Sequence, residues 1–162
     1  MAIKVEHDYD LTALNTFGVS ARAQTYIRVA DDADFPAAVE QASILAGYRG
    51  ILVLGGGSNV LFTKPYNGCV LHVDTKGMRE LDENVVEAMA GESWHRFVMW
   101  TLEYGYCGLE NLSLIYGTVG GAPIQNIGAY GVELREVFHS CDVISRETGE
   151  TKRLSEEDCR FG

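Results

Sequence analysis

Leu109-Glu110-Asn111-Leu112-Ser113-Leu114-Ile115-Tyr116-Gly117-Thr118-Val119-Gly120-Gly121-Ala122-Pro123-Ile124-Gln125-Asn126-Ile127-Gly128-Ala129-Tyr130-Gly131-Val132 is the stretch whose reading decides this chain. Past Glu110 no charged residue occurs until Glu133, although 22% of the chain is charged. Gly117, Gly120, Gly121, Gly128 and Gly131 would each weaken a helix by roughly 1 kcal/mol relative to Ala. Pro123, Gln125 and Asn126 add a break and amide groups that hydrocarbon would leave unsatisfied. The stretch is therefore no membrane span. It reads as an irregular backbone carrying neutral hydrogen-bonding groups. Glycine lets the main chain approach a ligand closely, and Gln and Asn each offer a donor and an acceptor. Such a segment suits a large, flat, polar-edged molecule. The alternative is a buried glycine-rich connection with no ligand.

A second glycine cluster lies upstream. Ile51-Leu52-Val53-Leu54 is a short apolar run, the pattern of a strand covered on both faces. It discharges into Gly55-Gly56-Gly57-Ser58-Asn59. Consecutive backbone N–H groups after a strand form a concavity suited to phosphate oxygens, with Ser58 and Asn59 as further donors. A tight turn is the plainer alternative. Two familiar phosphate motifs fail here: Val60 breaks G-x-G-x-x-G, and the Walker-type pattern lacks its lysine.

Around these clusters the chain alternates strand and helix signals. Asn15-Thr16-Phe17-Gly18 reads as a turn ahead of the first strand, Ala23 to Ala30. Asp31-Asp32 offers a cap for a helix with the stripe Phe35, Val39, Ala42 and Ala46, ended by Gly47. Lys64-Pro65-Tyr66-Asn67-Gly68 reads as a turn, Cys69 to Val73 as a strand, and Val85 to Ala90 as another. Ser93 caps a helix whose face is Trp94, Phe97, Val98, Thr101 and Leu102. Surface or capping roles suit His95 and Arg96. Val137 to Ser145 and Thr151 to Leu154 read as a hairpin, and Ser155-Glu156-Glu157-Asp158 as a capping box.

With 162 residues, 46% of them hydrophobic, the chain can bury a real core. The net charge of −10 argues against nucleic acid, whose phosphates need clustered Lys and Arg. The charged start lacks the apolar run of a signal peptide, so a cytoplasmic protein is expected. Cys69, Cys107, Cys141 and Cys159 are dispersed, with no Cys-x-x-Cys and no His at zinc spacing. Reduced, packed thiols are expected, with neither a redox dithiol nor a metal site. No repeat or linker interrupts the chain. The expected fold class is α+β, two-lobed, with subdomains at 1–75 and 76–162 and a ligand between the two glycine regions.

The motifs Asn15-Thr16-Phe17-Gly18, Gly55-Gly56-Gly57-Ser58-Asn59-Val60-Leu61, Gly91-Glu92-Ser93-Trp94-His95-Arg96, Gly108-Leu109-Glu110-Asn111-Leu112 and Pro123-Ile124-Gln125-Asn126-Ile127-Gly128-Ala129-Tyr130-Gly131-Val132-Glu133 occur in that order. Together they closely resemble the UDP-N-acetylenolpyruvoylglucosamine reductase family of bacterial cell-wall enzymes. The resemblance implies the FAD-binding fold of the vanillyl-alcohol oxidase and p-cresol methylhydroxylase type, with two α+β subdomains. It implies NADPH as reductant, hydride transfer from flavin to the enolpyruvyl double bond of a UDP-sugar, and a monomer. Gly55, Gly57, Ser58 and Asn59 would match the pyrophosphate loop. Gly117, Gly120, Gly121, Gln125, Asn126, Ile127 and Gly128 would match the segment along the flavin, and Tyr130 would fall on the substrate side. Tyr116 replaces a usual proline, and Gly121 a usual Ala or Ser. The family's active-site arginine, serine and glutamate, and its substrate-binding domain, would lie beyond Gly162. Arg160 matches a structural position instead. The chain therefore resembles a C-terminally truncated, FAD-binding portion, expected to be inactive alone; a non-catalytic flavin-binding or interaction module from a truncated reading frame is the alternative.

Overall fold

The computed structural model describes residues 3–47 and 50–161. The reading of the first two positions and of Gly162 lies outside the described residues. The chain divides into two compact units, one of residues 1–75 with 144–151, the other of residues 76–143 with 152–162.

The first unit is built on a four-stranded sheet. In chain order it has β1 (Val5–Asp10), β2 (Arg22–Val29), α1 (Phe35–Ala46), β3 (Ile51–Leu54) and β4 (Tyr66–Val73). The spatial order is β1-β2-β4-β3. β4 runs parallel to both β2 and β3, and β1 runs antiparallel to β2. Both faces of this sheet are covered. On one, Ile27, Val29, Cys69 and Leu71 pack with Ala38, Val39 and Ala42 of α1. On the other, Tyr26 and Val70 pack with Leu11, Leu54 and Phe62. Ala23 lies with Tyr26, although strict alternation would put it with Ile27. The pairing of β2 with β4 is irregular at the same place, with a step of two residues on β2, Ala23 to Thr25, against three on β4, Tyr66 to Cys69.

Several sequence expectations need correction here. β1 precedes the expected first strand, unrecognised because its exposed edge carries charge, although Tyr9 stacks on Tyr26 at 3.8 Å. β3 is an edge strand; Ile51 is buried on one face of the sheet and Leu54 on the other, while Val53 is 46% exposed. Asn67-Gly68 sits inside β4 rather than in a turn. Its glycine serves close approach: a Cβ on Gly68 would lie 2.3 Å from the Gly50 carbonyl oxygen. α1 carries the expected stripe and stop, but its N-cap is Asp34, which makes no side-chain capping bond, rather than Asp31 or Asp32. Asp31 accepts a hydrogen bond from Ala33 N–H in the turn ahead of it, Pro36 sits in its first turn, and Gly47 ends it at φ +63°.

The second unit opens with a hairpin of β5 (Met78–Asp82) and β6 (Val85–Ala88), turned at Asn84, φ +62°. The polar Leu81-Asp82-Glu83-Asn84 run hid β5 in the sequence. α2 (Trp94–Glu103) follows, with Ser93 Oγ accepting from Arg96 N–H. Trp94, Phe97 and Val98 bury against Leu109, Leu112, Ala122 and Leu134; Leu102, expected on that face, is exposed. Then come α3 (Ala122–Gln125), β7 (Gly128–Ala129), β8 (Val132–Glu133), β9 (Ser140–Ile144), β10 (Thr151–Ser155) and α4 (Glu156–Cys159). β9 and β10 form the expected hairpin, and the Ser155–Asp158 capping box starts α4. Residues 144–151 of that hairpin pack with the first unit. There Ile144 joins the α1 core and Arg146 donates to the Ile51 carbonyl.

Cys69 is buried, and burial pushes its thiol up to about 11. Cys107 is exposed. Cys141 and Cys159 are half-buried, and burial above all pushes the Cys141 thiol up to about 11.

The Trp94 indole N–H donates to the Leu112 carbonyl at 2.7 Å and is fully enclosed, tying α2 to the start of the uncharged stretch. Trp94→Phe keeps most of the ring but leaves that carbonyl without its donor. Urea unfolding should show a loss of about 1–3 kcal/mol.

Candidate functional site

The first unit contributes the loop after β3. Gly56 and Asn59 are exposed, and Gly55 and Ser58 half-buried, so this part of the loop offers backbone and small polar groups to solvent. Gly57 is different. It is buried at φ +65°, and its carbonyl accepts from Thr16 N–H at 3.2 Å and Thr16 Oγ1 at 3.4 Å. A Cβ there would stand 2.0 Å from the Leu14 carbonyl oxygen and 2.9 Å from Asn15 Cα. The glycine is thus demanded by the protein's own backbone.

That backbone is held in turn by Asn15, a buried amide. Its Nδ2 donates to the carbonyls of Leu11, Thr12 and Val19, and its Oδ1 accepts from Val19 N–H. Sequence reading gave Asn15 and Thr16 a turn and no further role. The available signal was a buried-type polar pair in a quoted motif, with no partner near it in sequence.

The second unit contributes the uncharged stretch. Its residues 117–120 run beside residues 90–94. Trp94 N–H donates to the Gly117 carbonyl, Val119 N–H to Glu92 and Gly120 N–H to Ala90, at 2.8–3.1 Å, and Ser93 and Thr118 form a bridge. Gly120 lies flat on this edge, where a Cβ would meet Ala90 Cβ at 2.7 Å. Gly117 has φ +132°. Glu92, quoted in a motif but given no role, is buried; its carboxylate accepts from Gly77 N–H at 2.8 Å and ties β5's approach to the same edge.

Beyond Gly120 a tight turn leads into α3, with Pro123 in its first turn, and Asn126 ends it in the left-handed region at φ +39°. The Asn126 amide is committed to its own chain. Nδ2 donates to Glu133 at 2.9 Å, and Oδ1 accepts from Arg135 N–H at 3.4 Å. Gln125 is exposed and Ile127 half-buried. Gly128 pairs with Glu133 across the β7–β8 hairpin, turned by Tyr130 and Gly131 at φ +52° and +80°. Gly121 has room for a Cβ, with Thr118 Oγ1 3.7 Å away, so its small size is not required by packing. Tyr116, Ile124 and Tyr130 are 84%, 86% and 90% exposed, three large apolar side chains on one glycine-rich stretch. Exposed apolar groups rimmed by polar backbone mark binding surfaces.

Among the described residues no His, Cys, Asp or Glu cluster could hold a metal ion, and no helix is long and apolar enough to cross a membrane.

A protein-family model described as FAD binding domain matches residues 23–155. The chain belongs to this FAD-binding domain family, and its cofactor is FAD. The UDP-N-acetylenolpyruvoylglucosamine reductase of Pseudomonas putida is 48% identical over 168 residues, covering 100% of this chain and 48% of that protein. Those of Pseudomonas aeruginosa and Azoarcus sp. are 46% and 48% identical, over 100% and 99% of this chain and 48% of each relative. The chain spans about half the length of these curated relatives. The crystal structure of UDP-N-acetylenolpyruvylglucosamine reductase from Thermus caldophilus has the same fold, with a TM-score of 0.75 and 23% identity over 100% of this chain and 55% of that one. The expected α+β, FAD-binding fold is borne out.

The groups present suit FAD. The loop at residues 55–59 offers main chain with a hydroxyl and an amide, the donor set that phosphate oxygens take. The stretch at 116–130 joins bare backbone to exposed apolar surface, which a flat heterocycle with polar edges requires. Neither region would set a fixed charge beside it, since both are uncharged.

Gly57→Ala should lower the unfolding midpoint and the FAD retained after desalting together. The left-handed conformation alone costs an L-residue roughly 1–2 kcal/mol, and the Leu14 carbonyl adds a clash. Gly121→Ala should leave the midpoint almost unchanged. A stable Gly57→Ala protein would detach that glycine from the packing of the 14–16 backbone.

Proposed function

We propose that this chain is the FAD-binding portion of a UDP-N-acetylenolpyruvoylglucosamine reductase, acting in the cytoplasm as a monomer in peptidoglycan precursor synthesis. The observation that carries the reading is identity of 46–48% to such reductases along essentially the whole chain. When bound, FAD supplies a two-electron carrier between NADPH and the enolpyruvyl double bond of UDP-N-acetylglucosamine enolpyruvate, yielding UDP-N-acetylmuramate.

The chain's own residues bind and orient. Gly55, Ser58 and Asn59 take the pyrophosphate, while Gly57 acts one step back by seating the loop on Leu14 and Asn15. Gly117, Gly120, Gly121, Gln125, Ile127 and Gly128 form the flavin-side wall. Asn126 shapes that wall through Glu133 and Arg135, because both ends of its amide already have partners in the chain. Exposed Tyr130 is the substrate-side group. No side chain here takes the proton-donor role that saturating the double bond requires. Placing substrate against the flavin can be worth roughly 7–11 kcal/mol of barrier, and a positioned acid roughly 10²–10⁴ in rate.

The 162-residue chain should therefore bind FAD, seen as quenching of flavin fluorescence on titration, yet show no NADPH oxidation stimulated by UDP-N-acetylglucosamine enolpyruvate. Joined in frame to the remaining C-terminal portion of the Pseudomonas putida relative, it should gain that activity. A folded chimera that holds FAD but stays inactive would count against the reductase assignment. Stimulated turnover by the chain alone would show that its own groups suffice.

A further inference from the structure

The first turn of α2 grips the uncharged stretch at three points. The Trp94 indole N–H donates to the Leu112 carbonyl at 2.7 Å, and the Trp94 backbone N–H to the Gly117 carbonyl at 3.1 Å. Between these two, the half-buried ring of His95 accepts a hydrogen bond at Nδ1 from Leu114 N–H, 3.1 Å away. An imidazole that accepts at Nδ1 is neutral and carries its proton on Nε2. Leu114 is held at φ +61°, in the left-handed region, although its side chain is exposed and gains no burial there. Such a conformation is strained for a leucine and persists only where its surroundings impose it. The bonds to Trp94 and His95 are what impose it. Sequence reading left His95 to the surface because its partner lies 19 residues away.

Charged groups around this ring are few. Arg96, its neighbour in sequence, is exposed. Three and four positions away stand Gly91, Glu92, Val98 and Met99. Of these only Glu92 is charged, and its carboxylate accepts from Gly77 N–H at 2.8 Å. Glu110, on the turn ahead of Leu114, accepts from Gly108 N–H at 2.8 Å. Tyr116 is the one titratable side chain in residues 111–116.

We propose that His95 is a positioning residue for FAD: its neutral ring fixes the backbone of residues 113–116 in the shape that receives the flavin, and protonating the ring releases it. This rests on the reading that the uncharged stretch forms the flavin-side wall. A proton on Nδ1 would set one donor against another, so the bond to Leu114 N–H is lost rather than weakened. Imidazoles change charge between about pH 5 and 8. The grip is therefore complete on the alkaline side of that window and is lost as pH falls through it. FAD affinity follows in the same sense. The two Trp94 bonds do not titrate, so the ends of the segment stay anchored.

The test is a titration of the full chain with FAD, followed by flavin fluorescence at about pH 8 and about pH 5.5, near the two ends of the imidazole window. Circular dichroism confirms the fold at each. The parent should bind FAD about fivefold more weakly at the acid end, the worth of one ordinary hydrogen bond. His95→Leu should bind at that weaker level at both ends. His95→Asn, whose amide oxygen accepts without titrating, should match the alkaline parent at both. In the FAD-free protein, amide hydrogen exchange at Leu114 should be slower in the parent than in His95→Leu. Equal FAD affinities for parent and His95→Leu at both ends would overturn the proposal and leave the flavin-side wall standing. FAD bound by neither, with Leu114 still protected in the parent, would overturn the flavin-side reading and the proposal with it.

Discussion

The space where a side chain on Gly57 would begin is already filled by the carbonyl oxygen of Leu14, 2.0 Å away. Much of the first unit answers to that one contact. The loop after β3 can lie against the 14–16 backbone only if position 57 is glycine. The 14–16 backbone is held in turn by Asn15, whose amide bonds Leu11, Thr12 and Val19. The loop is thus braced from behind by a buried polar side chain. Fully satisfied buried networks of this kind rigidify what they support. The exposed face of the loop is then left to small groups that ask for no packing of their own.

The second unit solves the same problem differently. Here the support is a backbone edge rather than a side chain. Residues 90–94 take three main-chain hydrogen bonds from or to residues 117–120, and Gly120 lies flush on Ala90. Trp94 anchors both partners, by its backbone N–H to Gly117 and its indole N–H to Leu112. An irregular stretch can therefore be rigid without regular secondary structure. Its exposed apolar side chains are displayed rather than buried.

The legible parts of the chain were those governed by local rules. α1 and α2 announced themselves through stripes and caps, and the β9–β10 hairpin through its turn. The FAD-binding character was legible in two glycine clusters and their motifs. What escaped depended on distant partners. β1 looked like a charged tail because its pairing and its Tyr9–Tyr26 stack lie across the sheet. Asn67-Gly68 carried a turn signal, but the Gly50 backbone, not a reversal, required the glycine. Gly57 and Gly120 were read as lying against a ligand; that each also makes room for its own chain, at the Leu14 carbonyl and at Ala90, was not legible. Asn126 was read as a cofactor-binding amide; its bonds to Glu133 and Arg135, partners met only through the β7–β8 turn, were not legible. Composition cannot distinguish a glycine that admits a ligand from one that admits a neighbouring strand.

The membership of residues 144–151 in the first unit has a bearing on the order of synthesis. A nascent chain emerges N-terminus first, at roughly 5–20 residues per second, and domains generally fold as they appear. β1 to β4 can assemble once residue 73 has emerged. Ile144 and Arg146, which complete that unit's α1 core and reach the β3 carbonyl at Ile51, arrive only after residues 76–143 have followed. Until then the α1 side of the sheet lacks part of its cover and the edge strand lacks one of its partners. The first unit begins earlier than the second, but on the ribosome it is finished later than most of it.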